Sequence, residues 1–251
     1  MYTALNSSKE IDDSGIDIAI LSSGATEQCG PFLPLAIDTA CAEFYARAWG
    51  EALNAFVLPT FPFNTSEEHA GKKGTITLSP QLMMNIFEEI IIGLIKQGFK
   101  KFVITGGHGG AYWVGAFIKH LNYKYPDNIL IDAHIGGDEA WQAGLATAGL
   151  ENSSDIHGGE LSACLAAYLF DLPYTEVPAH GQPVDSKWTE YLDYMTWDKF
   201  SSDGSIGVLS KEKSVKELRK KGGNLLETYV NIQSENLKTH FEEAIARKGI
   251  A

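Results

Sequence analysis

The chain has 251 residues, 44% of them hydrophobic, which predicts one globular domain spanning residues 1–251. The formal net charge of −12 argues against nucleic acid or an anionic membrane as a partner, because both attract clustered lysine and arginine. Three cysteines in a chain this long do not suggest a disulfide framework and favour a reducing, cytoplasmic location. No signal peptide is evident at the start, and no apolar run reaches the roughly 18 residues that span a bilayer.

Apolar runs and helical periodicities alternate along the first half of the chain. In order they predict a strand at 17–21, a helix at 39–53, a strand at 56–59, a helix from Ser79 to Gly98, a strand at 102–105, a helix to about Leu121 and a strand at 128–135. The helix after Ser79 has the clearest signals, because Ser79 is a good N-cap, Pro80 suits the first helical position and Gly98 can end a helix.

This alternation predicts an α/β fold, a three-layer αβα sandwich with a mostly parallel central sheet. Because crossovers between parallel strands are right-handed, the loops that follow the strands should gather along one edge. We therefore expect the loops 27–38 and 63–77 to meet the loop around His108. The rest of the chain predicts a buried helix at 159–170, an irregular stretch at 173–205 and a charged helical stretch at 211–246, interrupted at Gly222-Gly223.

Side chains that ligate metals recur after the predicted strands. Aspartate, glutamate, histidine and cysteine are the usual ligands of zinc and similar ions. The candidates are Glu27, Cys29, Asp38, Glu67, Glu68, His69, His108, His134, Asp138, His157 and Glu160. A single loop carboxylate is most often only solvated, so a metal site requires several of these residues to meet.

Two short motifs are more specific. In Gly106-Gly107-His108-Gly109-Gly110 the glycines remove side-chain bulk around a histidine and let a ligand approach, although a flexible turn has the same composition. This motif matches neither a phosphate loop nor a dinucleotide fingerprint. In Asp155-Ile156-His157-Gly158-Gly159-Glu160, His157 and Glu160 can face the same way at a helix start, with helix capping as the alternative.

Four segments, in this order, resemble motifs of the creatininase (creatinine amidohydrolase) family. They are Glu27-Gln28-Cys29-Gly30-Pro31-Phe32-Leu33-Pro34-Leu35-Ala36-Ile37-Asp38, Glu68-His69-Ala70-Gly71-Lys72-Lys73-Gly74-Thr75, Gly107-His108-Gly109-Gly110 and His157-Gly158-Gly159-Glu160. The resemblance covers residues 17–170 and, more loosely, 207–226. It implies the αβα fold and a hydrolase that holds two divalent metal ions, often as a homo-hexamer.

The resemblance also implies a set of metal ligands. Glu27, Asp38 and His108 would hold one metal, Asp38 would bridge to the second, and Cys29 and Glu160 would complete the second site. Cys29 stands where the family has a histidine, and its soft thiolate favours Zn²⁺ over Mn²⁺ or Mg²⁺. The expected metal is therefore Zn²⁺, with Mn²⁺ or Fe²⁺ as alternatives. One metal per chain is expected if the Cys29 site is lost.

The implied reaction is hydrolysis of a small, cyclic, non-peptide amide by a metal-activated water. His157 is predicted to protonate the leaving group, with His69 as the alternative. Creatininase has a glutamate where this chain has Gly110, so the expected substrate is not creatinine itself. Phe32 also replaces a family histidine and can neither ligate a metal nor transfer a proton. The predicted lining of the substrate pocket is Glu68, Tyr112, Trp113 and Trp141.

Three alternatives stay open. Some family members look like ring-opening hydrolases of a carbon–carbon bond in an oxidised inositol, a reaction that needs the same activated water. The Cys29 and Phe32 changes also fit a decayed, non-catalytic site that binds a metal or a small polar ligand. A thiol enzyme with Cys29 as nucleophile is less favoured, because Glu27 and Asp38 would raise the pKa of a thiol with no metal bound.

Overall fold

Five parallel strands form the central sheet. The computed structural model describes residues 1–151, 155–183, 185–192 and 194–249. The strands are β1 (Tyr2–Thr3), β2 (Ile18–Ser23), β3 (Phe56–Val57), β4 (Lys101–Gly106) and β5 (Ile129–Asp132), in the spatial order β1-β3-β2-β4-β5. Each neighbouring pair is parallel, which confirms the predicted α/β sheet.

Helices connect and flank these strands. They are α1 (Ser8–Ser14), α2 (Ile37–Leu53), α3 (Pro80–Ile95), α4 (Trp113–Lys124), α5 (Asp138–Ala148), α6 (Glu160–Leu169) and α7 (Val215–Lys248). Two antiparallel ribbons lie outside the main sheet, β6 (Glu176–Val177) with β9 (Lys213–Ser214) and β7 (His180–Gln182) with β8 (Gly207–Leu209). Among the described residues, no helix combines the length and the apolar character needed to cross a membrane.

A separate hydrophobic core lies against each face of the sheet. Side chains alternate along a strand, so Ile20 and Val103 are buried on one face, while Leu21 and Ile104 are buried on the other. Helices α2, α5, α6 and α7 cover the first face, and α3 and α4 cover the second. Helices on both faces of a parallel sheet give the predicted three layers.

Helix α3 begins and ends where its local signals place it. The Ser79 hydroxyl accepts a hydrogen bond from the N–H of Leu82 (3.3 Å), and Pro80 occupies the first helical position. Met83 and Phe87, one turn apart, are fully buried against the sheet. Gly98 follows the last turn with a φ of 97°, a left-handed conformation that favours glycine.

Two predicted boundaries are wrong. Helix α7 continues through Gly222-Gly223, because a Cβ at Gly222 would collide with the carbonyl oxygen of Cys164 in α6, so glycine here permits close helix packing. The strand predicted at 128–135 ends at Asp132, where the N–H of Ile135 donates to the Asp132 carbonyl oxygen (3.2 Å) and closes a turn.

Candidate metal centre

The loops at the carboxyl edge of the sheet bring five titratable side chains together. Glu27 follows β2, Asp38 lies in the first turn of α2, and His108 follows β4. His69 ends a single 3₁₀ turn, and His157 lies just before α6. The parallel topology accounts for this convergence, because it places the ends of β2 and β4 side by side.

Glu27 lies at the centre of the cluster and is close to all three histidines. Its Oε1 is 3.3 Å from Nδ1 of His108 and 3.3 Å from Nε2 of His69. The same oxygen is 3.9 Å from Nδ1 of His157, and Oδ2 of Asp38 is 3.2 Å from Nδ1 of His108. Two groups of potential ligand atoms result, Glu27–Asp38–His108 and Glu27–His69–His157, each with its atoms within 4.8 Å of one another.

Several atoms of this cluster are buried with no hydrogen-bond partner in the part of the chain that the structure describes. They are Oε2 of Glu27, Oδ2 of Asp38 and Nε2 of His69. Buried polar atoms in native proteins nearly always have a partner, so these three indicate a binding site. Carboxylate oxygens and imidazole nitrogens at this spacing fit a divalent cation.

The hydrogen bond made by the ring nitrogen that points away from Glu27 indicates which nitrogen of each histidine carries the hydrogen. Nε2 of His108 lies 2.6 Å from the carbonyl oxygen of Thr65, and Nε2 of His157 lies 2.7 Å from that of Gln28. A carbonyl oxygen only accepts, so each Nε2 carries a hydrogen, and once Nδ1 has lost its proton its lone pair points at the cluster. This is the usual arrangement of a histidine that ligates a metal.

His69 has the opposite arrangement. Its Nδ1 lies 2.7 Å from Nε2 of Gln28. The orientation of that amide is fixed, because its oxygen accepts from the N–H of Gly30 (2.9 Å) and its nitrogen donates to the carbonyl oxygen of Gly204 (3.0 Å). Nδ1 of His69 therefore accepts, and the hydrogen resides on Nε2, which points towards Glu27. His69 is thus better suited to donate a hydrogen bond than to ligate.

Burial and neighbouring charges set the protonation of the cluster. Burial raises the pKa of Asp38 to about 6, and the charge of Glu27 adds to this effect. Burial lowers the pKa of His157, but the charge and hydrogen bond of Cys29, followed by the charges of Glu27 and Asp38, outweigh it and raise this pKa to about 10. The pKa of His108 is also raised, because its contacts with Asp38 and Glu27 outweigh burial. A cation would have to displace these protons, so its affinity should increase with pH.

A cavity of about 780 Å³ opens onto the cluster. Of the residues predicted to line a substrate pocket, Glu68, Tyr112 and Trp141 do so. Trp113 does not: it is a core residue of α4, 1% exposed, and its Nε1 donates to Oδ1 of Asn64 (2.8 Å). From the first turn of α4, its ring packs against Phe87 in the hydrophobic core between the sheet and helices α3 and α4.

Glu160 does not join the cluster. Its Oε1 accepts hydrogen bonds from Nζ of Lys213 (2.5 Å) and Nζ of Lys221 (2.8 Å). Burial raises the pKa of Glu160, but the hydrogen bonds and charges of the two lysines outweigh it and lower the pKa. As the first residue of α6, Glu160 contacts β9 and α7, whereas His157, three residues earlier, contacts Glu27.

The two departures from the family motif have different surroundings. The Cys29 side chain is buried, lines the cavity and interacts with His157, although it belongs to neither group of potential ligand atoms. Phe32 is 40% exposed and packs edge-on against the ring of His180, with centroids 5.4 Å apart. Phe32 therefore lies outside the cluster.

Sequence reasoning missed three residues that shape the site. Trp197 covers the cluster, with its ring centroid 4.6 Å from that of His69 and 5.5 Å from that of His157. Gln28 and Thr65 orient the histidine rings. The sequence gives no sign of the two orienting residues, and the only signal for Trp197 is its place in an irregular stretch that is rich in aromatic residues.

Comparison with known proteins identifies the family. The family model described as creatinine amidohydrolase matches residues 5–235. The chain belongs to the creatininase family. Among solved structures, a proposed creatinine amidohydrolase of Bacteroides fragilis is 22% identical, with a TM-score of 0.71 over 94% of this chain and 95% of that one. A creatininase is 18% identical, with a TM-score of 0.65 over 95% of this chain and 97% of that one. These likenesses show the shared fold.

Two further comparisons bear on chemistry within the creatininase family. Structures of creatininase include a Zn–Zn type of a mutant and a Mn form, each matched over 95% of this chain. A mycofactocin precursor peptide peptidase of Mycolicibacterium smegmatis is 28% identical over 143 residues, which are 50% of this chain and 56% of that protein. The chain thus spans about half the length of this curated relative.

Proposed function

We propose that this creatininase-family protein is a divalent-metal-dependent hydrolase of a small, cyclic, non-peptide amide. The observation that carries the proposal is the pair of potential ligand groups that share Glu27, with buried atoms of Glu27 and Asp38 that have no other partner among the described residues. Glu27, Asp38, His108 and His157 would hold two metal ions. When bound, such ions polarise a carbonyl group and activate water for attack on it.

His69 supplies the proton-bearing group of the proposed site. Its Nε2–H points into the cluster, while its Nδ1 is occupied by Gln28. From that position the neutral ring donates a hydrogen bond to the carbonyl oxygen of the substrate as negative charge develops on it. The His157 ring instead keeps its Nε2–H on the carbonyl oxygen of Gln28, which argues for a ligand role. Of the two histidines predicted from sequence to act on the substrate, the proposal therefore selects His69, as a hydrogen-bond donor to the carbonyl oxygen and not as the source of the leaving group's proton.

The surroundings of Gly110 argue against creatinine as the substrate. A Cβ at Gly110 would collide with Oε1 of Glu68 and with the ring of His108. Oε1 of Glu68 lies 3.5 Å from Nε2 of His108, so a carboxylate from a different loop fills the space beside this histidine. The binding pocket next to the metal centre is thus built differently from a site that carries glutamate at the position of Gly110.

Metal removal and two histidine variants test the proposal. Chelation should abolish hydrolysis of a panel of lactams, and added Zn²⁺ should restore it; an unchanged rate would favour the Cys29 thiol enzyme. We expect His69→Gln to keep the full metal content by elemental analysis and to lose about 100-fold or more in turnover, typical of a lost hydrogen bond to the developing oxyanion. His108→Gln should lose metal and turnover together. Equal metal loss in both variants would contradict the assignment of His69.

Ring-opening of a cyclic ketone and simple binding are outcomes of the same experiment. Turnover of a cyclic ketone but of no amide would favour the carbon–carbon hydrolase. Metal content well under two ions per chain with no turnover would favour the decayed site.

A further inference from the structure

The cavity carries more carboxylates than the metal centre uses. Glu27 and Asp38 belong to the potential ligand groups, whereas Glu67 and Glu68 line the same cavity and belong to neither. Two divalent cations would more than neutralise the first pair, because carboxylates that ligate a cation share its charge. The charge of Glu67 would not be shared with a cation in this way.

Neither extra carboxylate is paired with a lysine or an arginine in the described part of the chain. Oε2 of Glu67 accepts a hydrogen bond from the hydroxyl of Tyr112 (3.3 Å), and Glu68 lies beside His108. The described residues that line the cavity include no lysine and no arginine. Lys72, which is close in sequence, donates instead to the carbonyl oxygen of Ser202 (2.5 Å). An anionic substrate group beside Glu67 would therefore meet repulsion that no described lysine or arginine offsets.

Aromatic side chains line the same cavity. Tyr112 is 65% exposed and Tyr194 is 84% exposed, and both line the cavity, with Trp141 and Trp197 also in its wall. Exposed aromatic residues gathered at a cavity commonly mark a binding surface. The faces of tyrosine and tryptophan attract cations, so their charge preference matches that of Glu67.

We propose that the substrate amide also carries an aliphatic ammonium group, which Glu67 and the aromatic side chains of Tyr112 and Tyr194 receive while the amide lies at the metal centre. This inference rests on the proposed function, since it assumes that the amide lies beside Glu27. The carboxylate of Glu67 accepts a hydrogen bond from Tyr112 on one oxygen, so lone pairs remain for an N–H donor. Hydrogen bonds to charged groups are stronger than neutral ones, so the ammonium would add affinity.

Three lactams of one ring size test the inference: one with an amino substituent, one unsubstituted and one with a carboxyl substituent. Their dissociation constants for the zinc-loaded protein are read from the change in tryptophan fluorescence, since Trp141 and Trp197 lie in the cavity wall. Affinity should fall in the order amino, unsubstituted, carboxyl. Glu67→Gln should weaken the amino-lactam about tenfold and leave the unsubstituted lactam unchanged. Glu89→Gln, the same change on the exposed face of α3, is the matched control and should alter none of the three.

The outcomes separate this inference from the proposed function. Equal affinities for the three lactams, no binding of the amino-lactam, or a Glu67→Gln variant that keeps the parent preference would each overturn the inference. Hydrolysis of the unsubstituted lactam under any of these results would leave the proposed function intact. Selective binding of the amino-lactam without hydrolysis of any amide would support the inference on substrate charge and contradict the proposed reaction.

Discussion

The three histidines of this site take different roles, because the ring nitrogen that points away from Glu27 has a different hydrogen-bond partner in His69 than in His108 and His157. Backbone carbonyls accept from Nε2 of His108 and of His157, whereas the amide nitrogen of Gln28 donates to Nδ1 of His69. The sequence identifies all three histidines as candidates. Their separate roles depend on contacts of Thr65 and Gln28, for which no sequence pattern exists.

At the residue scale, Glu160 shows that matching a sequence motif does not by itself place a side chain in the site. A helix start three residues after His157 suggests a shared direction, yet its carboxylate reaches Lys213 and Lys221 from later elements of the chain. We expect Glu160→Gln to lower the free energy of unfolding at neutral pH by about 1 kcal/mol, because it removes the charge from a largely buried ion triad. Denaturant unfolding of parent and variant across pH measures this difference.

The difference in unfolding free energy between the parent and Glu160→Gln should become smaller as the pH falls. The pKa of Glu160 is lower in the folded chain, so its stabilisation is complete above the unfolded-state pKa of about 4.3. It is lost as the pH falls through the folded-state value, and parent and variant should converge there. Glu89→Gln serves as the control for the change in net charge. A difference that persists undiminished in strong acid, below the folded-state pKa, would show that the lysines do not stabilise the carboxylate.

At the scale of elements, the two glycines in α7 show why a local signal can mislead. Paired glycines ordinarily interrupt helices, but here a Cβ at Gly222 would collide with the Cys164 carbonyl oxygen, and one at Gly223 would lie 3.0 Å from the ring of Tyr168. Close packing of α6 on α7 therefore outweighs helix propensity. Helix α3, by contrast, was predictable because its cap, its proline and its apolar period agree.

Alanine substitutions distinguish packing from propensity. Gly222→Ala should lower the thermal midpoint despite the better helix propensity of alanine, since the added Cβ forces α6 and α7 apart. A Cβ at Gly93 in α3 would meet open space, with no atom of a packed neighbour in the described chain within 4 Å. Gly93→Ala should therefore raise the free energy of unfolding by about 0.5–1 kcal/mol. Equal stabilisation by both substitutions, measured by thermal unfolding, would refute the packing explanation.

At the scale of the whole molecule, parallel topology makes the site predictable. Once 17–21 and 102–105 are assigned as parallel strands, the loops that carry Glu27 and His108 must end at one edge, and the structure places them there. Trp197 was not predictable in this way, because it reaches His69 from an irregular segment outside the parallel sheet. The single domain over 1–251 and the homo-hexamer remain predictions.

Anomalous scattering at the zinc edge, from crystals grown with zinc, tests the central claim most directly. We predict two zinc peaks on either side of Glu27, one within ligand distance of Asp38 and His108 and the other within ligand distance of His157. The same map shows whether Cys29 lies within bonding distance of the second ion. A map with no peak beside Glu27, or with its zinc on Glu160, would contradict the account.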